Sequence, residues 1–254
     1  MTLWEGLAVL LAGIGAGTIN TIVGSGTLIT FPVLLAIGLP PVTANVSNTL
    51  GLVPGSVSGV IGYRRELAGQ RNRLLRLGSA SLVGGLTGAW LLVQLPSSAF
   101  DAIVPALILI ALVLVVIQPR VARAMAARRA ADAGPPPEAG PLLLTGVLLS
   151  GVYGGYFGAA QGVLLLALMG MLLQDDMQRI NATKNVLALI VNGVAAVFFL
   201  FVAEIDWTVV LLIAVGSAAG GQIGARVGRR LPPPVLRAVI VVVGLVAVTR
   251  LLLT

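Results

Sequence analysis

Two stretches of apolar sequence each carry four polar side chains at the same offsets of 0, 3, 4 and 11 residues. They are Asn45, Asn48, Thr49 and Ser56 in the first half and Asn181, Lys184, Asn185 and Asn192 in the second. On an α-helix these offsets fall within about 100° of one another, so each set forms one stripe. Two matched stripes can bind a ligand with their N–H groups, or they can hold helices together by hydrogen bonds. The spacing leaves both alternatives open.

A glycine-rich segment precedes each polar stripe and predicts an interrupted helix. The segments are Gly24-Ser25-Gly26-Thr27 and Ala160-Gln161-Gly162, and short apolar runs follow at 26–39 and 162–174. A helix of this length covers roughly 20 Å, less than the ~30 Å hydrocarbon core of a bilayer. Its N-terminus presents unpaired N–H groups and the positive end of the helix dipole, so two such ends can bind an anion without any fixed charge. The alternative is that these glycines permit close helix packing.

Together these patterns predict a site for a small anion where the two halves of the chain meet. The predicted site residues are Asn20, Gly24, Ser25, Gly26, Thr27, Asn45, Asn48, Gln161, Gly162, Asn181, Lys184 and Asn185. Lys184 is the only lysine in the chain, and a cation inside a bilayer is costly unless it is paired or hydrated. Lys184 therefore either attracts the anion or extends its ammonium group to the cytoplasmic surface.

The composition restricts the class of protein. Hydrophobic residues make up 57% of the 254 residues and charged residues only 10%, whereas soluble domains carry about a quarter charged residues. The apolar runs do not alternate with polar residues as β-barrel strands do. We therefore expect an all-α polytopic membrane protein whose surroundings are the lipid bilayer.

Several classes of chemistry are not expected. The chain contains no cysteine and no histidine, which excludes Ser-His and Cys-His catalysis and the common ligands of zinc and haem. No carboxylate falls at the centre of an apolar run, so an intramembrane enzyme is disfavoured, and neither a cofactor nor a metal ion is expected. The net charge of +7 does not indicate nucleic acid binding, because the arginines lie in clusters between apolar runs.

Ten apolar segments fall into two halves that resemble each other. The segments are roughly 3–23, 26–39, 43–62, 75–95, 99–118, 141–159, 162–174, 181–203, 207–227 and 235–253. We predict a first transmembrane repeat at 1–118, a cytoplasmic linker at 119–140 and a second transmembrane repeat at 141–254. The linker is basic and then rich in proline and glycine, which is typical of a solvated loop.

The two halves align without a gap over residues 26–96 and 162–232. The matched positions are mainly glycine, asparagine and proline, including Asn45 with Asn181 and Gly84 with Gly220. Close helix packing is the favoured role of glycines in the longer runs, namely Gly84, Gly88 and the series Gly216–Gly228.

The basic residues predict the orientation of the halves. All lysines and arginines except Arg250 fall in four clusters, which lie on the cytoplasmic side if all ten segments cross. Five crossings per half then place the repeats in opposite orientations, which is a common transporter architecture, with both termini outside. Whether the short segments 26–39 and 162–174 cross fully or re-enter stays open.

These motifs resemble the sulfite exporter TauE/SafE family, also called the 4-toluene sulfonate uptake permeases. The resemblance is carried by the glycine-rich starts Gly13–Gly26 and Gly151–Gly162, each followed nineteen residues later by Asn45 or Asn181. It implies a multi-pass transporter of the bacterial inner membrane for sulfur-containing anions such as sulfite, thiosulfate, sulfoacetate or other organosulfonates. Where the family has a run of glycines, this chain carries Ala159-Ala160-Gln161.

The expected function is transport of a small anion by alternating access between the two repeats. A passive anion channel or a carrier of another small anion is the main alternative, and a scaffold protein is a weaker one. The sequence leaves open the identity of the anion, the direction of transport, the coupling ion and whether the protein forms homo-oligomers.

Overall fold

The computed structural model describes residues 1–131, 140–173 and 175–227, together with residues 241, 242, 245 and 249. Within this part of the chain the regular structure is helical. The helices are α1 (Leu3–Ile22), α2 (Thr27–Ala36), α3 (Pro41–Gly62), α4 (Arg71–Gln94), α5 (Ser97–Ala131), α6 (Pro141–Tyr156), α7 (Gln161–Leu172), α8 (Met177–Val202) and α9 (Trp207–Val227). The expected all-α class is confirmed.

Five of these helices are long and apolar enough to cross a membrane. They are α1, α4, the Ser97–Ile117 part of α5, α8, and α9 up to Arg226. Three shorter apolar helices, α2, α6 and α7, have 10, 16 and 12 residues. At 1.5 Å per residue, α2 and α7 extend roughly 15–18 Å, about half of a hydrocarbon core.

Helix α5 extends into the predicted linker. It has 35 residues and ends at Ala131, so the first part of the linker, 119–131, is helical and not loop. Alanine and arginine have high helix propensity, so the segment VARAMAARRAA extends the helix beyond its apolar part. The rest of the predicted linker and most of the predicted segment 235–253 lie outside the described residues.

Glycine contacts bring the long helices together, as the sequence predicted for Gly84, Gly88 and Gly220. A Cβ built on Gly84 would overlap Leu148 O of α6, and one on Gly88 would overlap Val152 O. A Cβ on Gly220 of α9 would overlap Ile14 O of α1 in the same way. These glycines let backbones approach closely in pairs α1–α9 and α4–α6.

The helix contacts repeat between the two halves. Helix α1 packs on α9 as α6 packs on α4, and α3 packs on α9 as α8 packs on α4. The aligned residues Ser56 and Asn192 meet each other, with Asn192 Nδ2 donating to Ser56 Oγ at 3.5 Å. Each of these pairs joins one half of the chain to the other, so the two similar halves interlock, and they also meet between α3 and α8. The opposite orientation of the halves stays a prediction.

Candidate functional site

Both glycine-rich segments interrupt a helix, as predicted. Helix α1 ends at Ile22, and Gly24 follows with φ +85° and an N–H that donates to Ile19 O at 3.1 Å. Helix α6 ends at Tyr156, and Gly158 follows with φ +79° and an N–H that donates to Tyr153 O at 3.1 Å. Positive φ favours glycine, and such a glycine commonly terminates a helix.

Gly158, which follows the end of α6, is not among the residues that the sequence singled out. The second break was predicted at Ala160–Gly162, which begins two residues after Gly158. Ala160 itself has φ +58°, the left-handed region, and is the N-cap of α7. The turn at 157–160 has the same length as its counterpart at 23–26. Gly158 corresponds in the turn to Gly24, but it lies two residues before position 160, which the offset of the gapless alignment would pair with Gly24, so that alignment does not extend back through the turns.

The two breaks contact each other directly. Gly162 N–H donates to Gly24 O at 3.0 Å, and a Cβ on either glycine would overlap backbone atoms of the other. We call this point, formed by Gly24–Thr27 and Ala160–Gly162, the crossing. The predicted convergence of the two segments is thus present in the structure, and only glycine permits it at Gly24 and Gly162.

The N-terminus of α2 presents free donors at the crossing. Helix α2 has no side-chain cap. Within the described residues, the N–H groups of Ser25, Gly26 and Thr27 have no hydrogen-bond acceptor. Three adjacent N–H groups at the positive end of a helix dipole form an anion-binding arrangement.

The N-terminus of α7 differs from the prediction. Gln161 N–H donates to Gly158 O at 3.3 Å, and Val163 N–H donates to Ala160 O at 3.0 Å. With Gly162 bound to Gly24 O, the first three amides of α7, including those of the predicted residues Gln161 and Gly162, are occupied by backbone carbonyls. The left-handed Ala160 folds the chain into a tight turn that provides these acceptors. At α7 the remaining donor is the Gln161 side chain.

The polar stripe of α8 binds the carboxyl end of α1. Lys184 Nζ donates to Asn20 O at 2.8 Å and to Thr21 O at 3.2 Å. Asn181 Nδ2 and Asn185 Nδ2 donate to Thr21 O at 3.3 and 3.4 Å. The last carbonyls of a helix lack partners inside it and carry the negative end of its dipole, so an ammonium group and two amides satisfy them.

Lys184 is fully buried, with 0% of the residue exposed. The interpretation that its ammonium group reaches the surface is therefore wrong. Its stem passes beside the crossing, because a Cβ on Gly162 would lie 2.9 Å from Lys184 Cδ. A single cation thus lies next to both broken helices.

The stripe of α3 makes the equivalent contact with the other half. Asn45 Nδ2 donates to the carbonyl of Tyr156, the last residue of α6, at 3.0 Å. Asn45 aligns with Asn181, so each asparagine binds the broken helix end of the opposite half. Asn48 Nδ2 donates to Thr27 Oγ1 at 3.3 Å, and Thr30 Oγ1 donates to Asn48 Oδ1 at 2.5 Å. Thr30, which the sequence did not single out, helps to fix α2 against α3.

Four predicted site residues carry buried polar atoms without a protein partner. These atoms are Ser25 Oγ, Gln161 Nε2, Asn45 Oδ1 and Asn181 Oδ1. The residues are 1%, 3%, 1% and 7% exposed. Leaving a buried polar group unpaired costs about 1–3 kcal/mol, so such groups normally bind a ligand or water. Ser81, Ser150 and Tyr156 also carry unpaired buried oxygens, and the two serines belong to the packed helices α4 and α6.

A network of polar contacts joins the halves at the N-terminus of α8. Asp175 forms ion pairs with Arg73 and with Arg179, the latter at 3.0 Å. Gln70 Oε1 accepts from Thr183 Oγ1 at 2.9 Å. We call these five residues the cross-half network. Burial alone would raise the pKa of Asp175, but its bonds to Arg73 and Asp176 and the charges of Arg73 and Arg179 lower it below its ordinary value.

An aligned contact lies at the carboxyl end of α8. Asp206 N–H donates to Ser47 Oγ at 3.0 Å, and these residues align with Gln70 and Thr183 of the cross-half network. Neither contact is marked by a local pattern in the sequence. The shared offset between the aligned pairs is the feature that would have found them.

In the part of the chain that the structure describes, the regular structure is helical and five helices are long and apolar enough to cross a membrane. Together with a buried, donor-rich crossing of two broken helices, this is the architecture of a membrane transporter. Residues 9–251 match the family described as Sulfite exporter TauE/SafE. The chain belongs to this family. It is a multi-pass transporter of the bacterial inner membrane and not an enzyme.

Relatives with this architecture carry transporter names. The chain is 27% identical to the probable membrane transporter protein ORF9 of Sinorhizobium, covering 93% of this chain and 88% of the relative. It is 26% identical to the probable membrane transporter protein YfcA of Escherichia coli K12, covering 93% and 86%. A probable membrane transporter protein of Haemophilus influenzae Rd is 25% identical over 96% and 94%. No solved structure matches the chain.

Proposed function

We propose that the protein transports a small sulfur-containing oxyanion or organosulfonate, such as sulfite, thiosulfate or sulfoacetate, and binds it at the crossing. The observation that carries this proposal is the set of unpaired buried donors at Ser25–Thr27 and Gln161. Backbone N–H groups, a hydroxyl and an amide all donate to oxygen, and a sulfonate or sulfite group offers three oxygens on one small centre. The family description supports sulfur as the central atom.

Charge at the crossing favours an anion over a neutral ligand. The Lys184 ammonium group is buried beside Gly162, and its contacts are carbonyl oxygens and not carboxylates. Within the described residues, no carboxylate pairs with it. An anion bound at the crossing therefore supplies the countercharge that a buried cation otherwise lacks.

Two orphan acceptors add specificity. Asn45 Oδ1 and Asn181 Oδ1 have no donor, while their amide nitrogens hold the ends of α6 and α1. They accept from a proton on the ligand, as in hydrogensulfite, or from a water bound with it. Chloride is a single atom, so it cannot place a separate acceptor on each donor of the crossing as the oxygens of a sulfonate or sulfate group can.

The contacts on the two sides of the crossing support a proposal of alternating access. The cross-half network closes one side through ion pairs between Asp175, Arg73 and Arg179. The bond from Asp206 N–H to Ser47 Oγ closes the other. We propose that rocking of one half against the other breaks one set of contacts at a time, which exposes the crossing to each side in turn.

A thermal-shift screen of the purified protein tests the substrate class. We expect sulfite, thiosulfate, sulfate or sulfoacetate to raise the melting temperature, because a ligand that binds the native state stabilises it. Chloride should not do so at equal ionic strength. Ser25→Ala should abolish the shift, and Ser79→Ala, at an exposed serine of α4, should retain it. Absence of any stabilising oxyanion contradicts the proposal.

Counterflow in proteoliposomes separates a carrier from a channel. Unlabelled anion inside the vesicle should accelerate uptake of labelled anion, because an alternating carrier returns faster when it is loaded. Uptake that is unaffected by internal anion would instead assign the protein as a passive anion channel.

A further inference from the structure

A polar pocket opens at the ends of α3 and α9, separate from the residues of the crossing. Its volume is about 500 Å³. It is lined by Gly62, Arg64, Arg65, Glu66, Gln222, Ala225 and Arg226. We call it the arginine pocket. None of these residues belongs to the predicted anion site or to the cross-half network, so the transport mechanism leaves the pocket without a role.

Positive charge dominates the pocket. The lining residues include three arginines and one glutamate. All three arginines are exposed. Arg64 Nη1 donates to Ile61 O at 3.1 Å, which anchors one arm of the guanidinium at the end of α3. A guanidinium has five N–H donors, so an anchored arginine still has donors for a bidentate contact with a phosphate.

The base of the pocket is the contact between α3 and α9. A Cβ on Gly62 would overlap the Cβ of Ala225, so α3 and α9 touch directly between the arginines. Gln222 Nε2 donates to Ser58 O at 3.1 Å and to Ser58 Oγ at 3.0 Å. These bonds join the same two helices one turn deeper. Arg226 is therefore carried by α9, and Arg64 and Arg65 lie in the turn directly after α3, beside this joined helix pair.

Exposed apolar residues adjoin the basic lining. Ile61, next to Gly62, is 51% exposed, and Ile223, next to Gln222, is 43% exposed. A soluble anion gains nothing from contact with these apolar side chains. A phospholipid can place its acyl chains against them while its phosphate lies beside the arginines. The distribution of basic residues predicts that these helix ends lie at the cytoplasmic face, where anionic lipids attract clustered arginines.

We propose that the arginine pocket binds the phosphate headgroup of an anionic phospholipid in the cytoplasmic leaflet. Arg64, Arg65 and Arg226 contact the phosphate, and Ile61 and Ile223 contact the acyl chains. Such a lipid joins α3 of the first half to α9 of the second, so it bridges the two halves at one face.

Native mass spectrometry of the full-length detergent-solubilised protein tests this. The probes are phosphatidylglycerol and cardiolipin, compared with phosphatidylcholine. We expect the wild type to retain the anionic lipids, and the double variant Arg65→Gln/Arg226→Gln to lose retention at least tenfold. The control double variant Arg71→Gln/Arg120→Gln removes the same charge at exposed arginines outside the pocket and should change retention less than twofold. A melting curve of each variant verifies that it is folded.

Three outcomes overturn the proposal. Equal losses in both double variants show that net charge, and not the pocket, retains lipid. Unchanged retention in Arg65→Gln/Arg226→Gln shows that the lipid binds elsewhere. Displacement of phosphatidylglycerol from the wild type by millimolar inorganic phosphate or glycerol 3-phosphate identifies the ligand as a soluble phosphate.

Discussion

The contact between the two broken helices makes a quantitative prediction at Gly24. Gly24 and Gly38 are both glycines with a left-handed backbone, at φ +85° and +90°. A Cβ on Gly24 would overlap the Gly162 backbone, whereas a Cβ on Gly38 would meet nothing within 4 Å. Alanine substitution therefore imposes the same backbone strain at both positions but a steric clash only at Gly24.

The two costs can be estimated separately. A non-glycine residue in the left-handed region costs about 1–2 kcal/mol. Overpacking a well-packed contact adds about 1–3 kcal/mol, and the clashing atoms belong to backbone that also holds the bond from Gly162 N–H to Gly24 O. Gly24→Ala should thus lose about 2–5 kcal/mol of stability and Gly38→Ala only about 1–2 kcal/mol.

Thermal unfolding in detergent, followed by fluorescence of the three tryptophans, measures the difference. One kcal/mol corresponds to about 2–4 °C for a chain of this size, so Gly24→Ala should melt about 2–12 °C below Gly38→Ala. Anion-dependent stabilisation should also disappear in Gly24→Ala and persist in Gly38→Ala. Equal melting temperatures for the two variants would refute the direct contact between the breaks.

Three further predictions concern charge and hydrogen bonding. Lys184→Gln should keep the fold but weaken anion binding at least tenfold and reduce the salt dependence of that binding. Titration calorimetry measures both effects. Unchanged affinity would show that Lys184 only caps the end of α1. The lowered pKa of Asp175 means that its ion pairs stabilise the protein above the ordinary value of 3.8 and are lost as pH falls through the lowered value. The melting-temperature advantage of wild type over Asp175→Asn should therefore be constant at neutral pH and shrink in acid, and a pH-independent difference would contradict this. Asn45→Ala leaves Tyr156 O unpaired and should destabilise the protein by about 1–3 kcal/mol in chemical unfolding, whereas Asn72→Ala, at an exposed residue of α4, should have little effect.

The sequence was sufficient to predict features that depend on residue type and local spacing. The helical class follows from the apolar runs, and the presence of a break at each glycine-rich segment follows from glycine, whose effect on the backbone is local. The second break was nevertheless predicted two residues after its actual glycine, Gly158. The inward orientation of the polar stripes follows from helical periodicity, since Asn45, Asn48, Asn181, Lys184 and Asn185 are all buried. Each of these inferences needs only a window of a few residues.

Features that depend on contacts between distant segments were not predictable. Lys184 pairs with carbonyls more than 160 positions away in the chain, and no local pattern marks a carbonyl as an acceptor. The occupied amides of α7 result from the left-handed Ala160, a conformation that alanine rarely adopts. The ion pair between Asp175 and Arg73 could not be predicted from the sequence, because Arg73 lies in the other half of the chain.

Accessibility of residue 25 tests the central claim most directly, because the chain contains no cysteine. In a Ser25→Cys variant, a charged, membrane-impermeant thiol reagent should label the protein when added from either side of the membrane, although Ser25 is 1% exposed in this structure. Sulfate or sulfoacetate should slow the labelling, and chloride at equal ionic strength should not. Absence of labelling from both sides, or labelling that no oxyanion slows, would contradict an alternating-access anion site at the crossing.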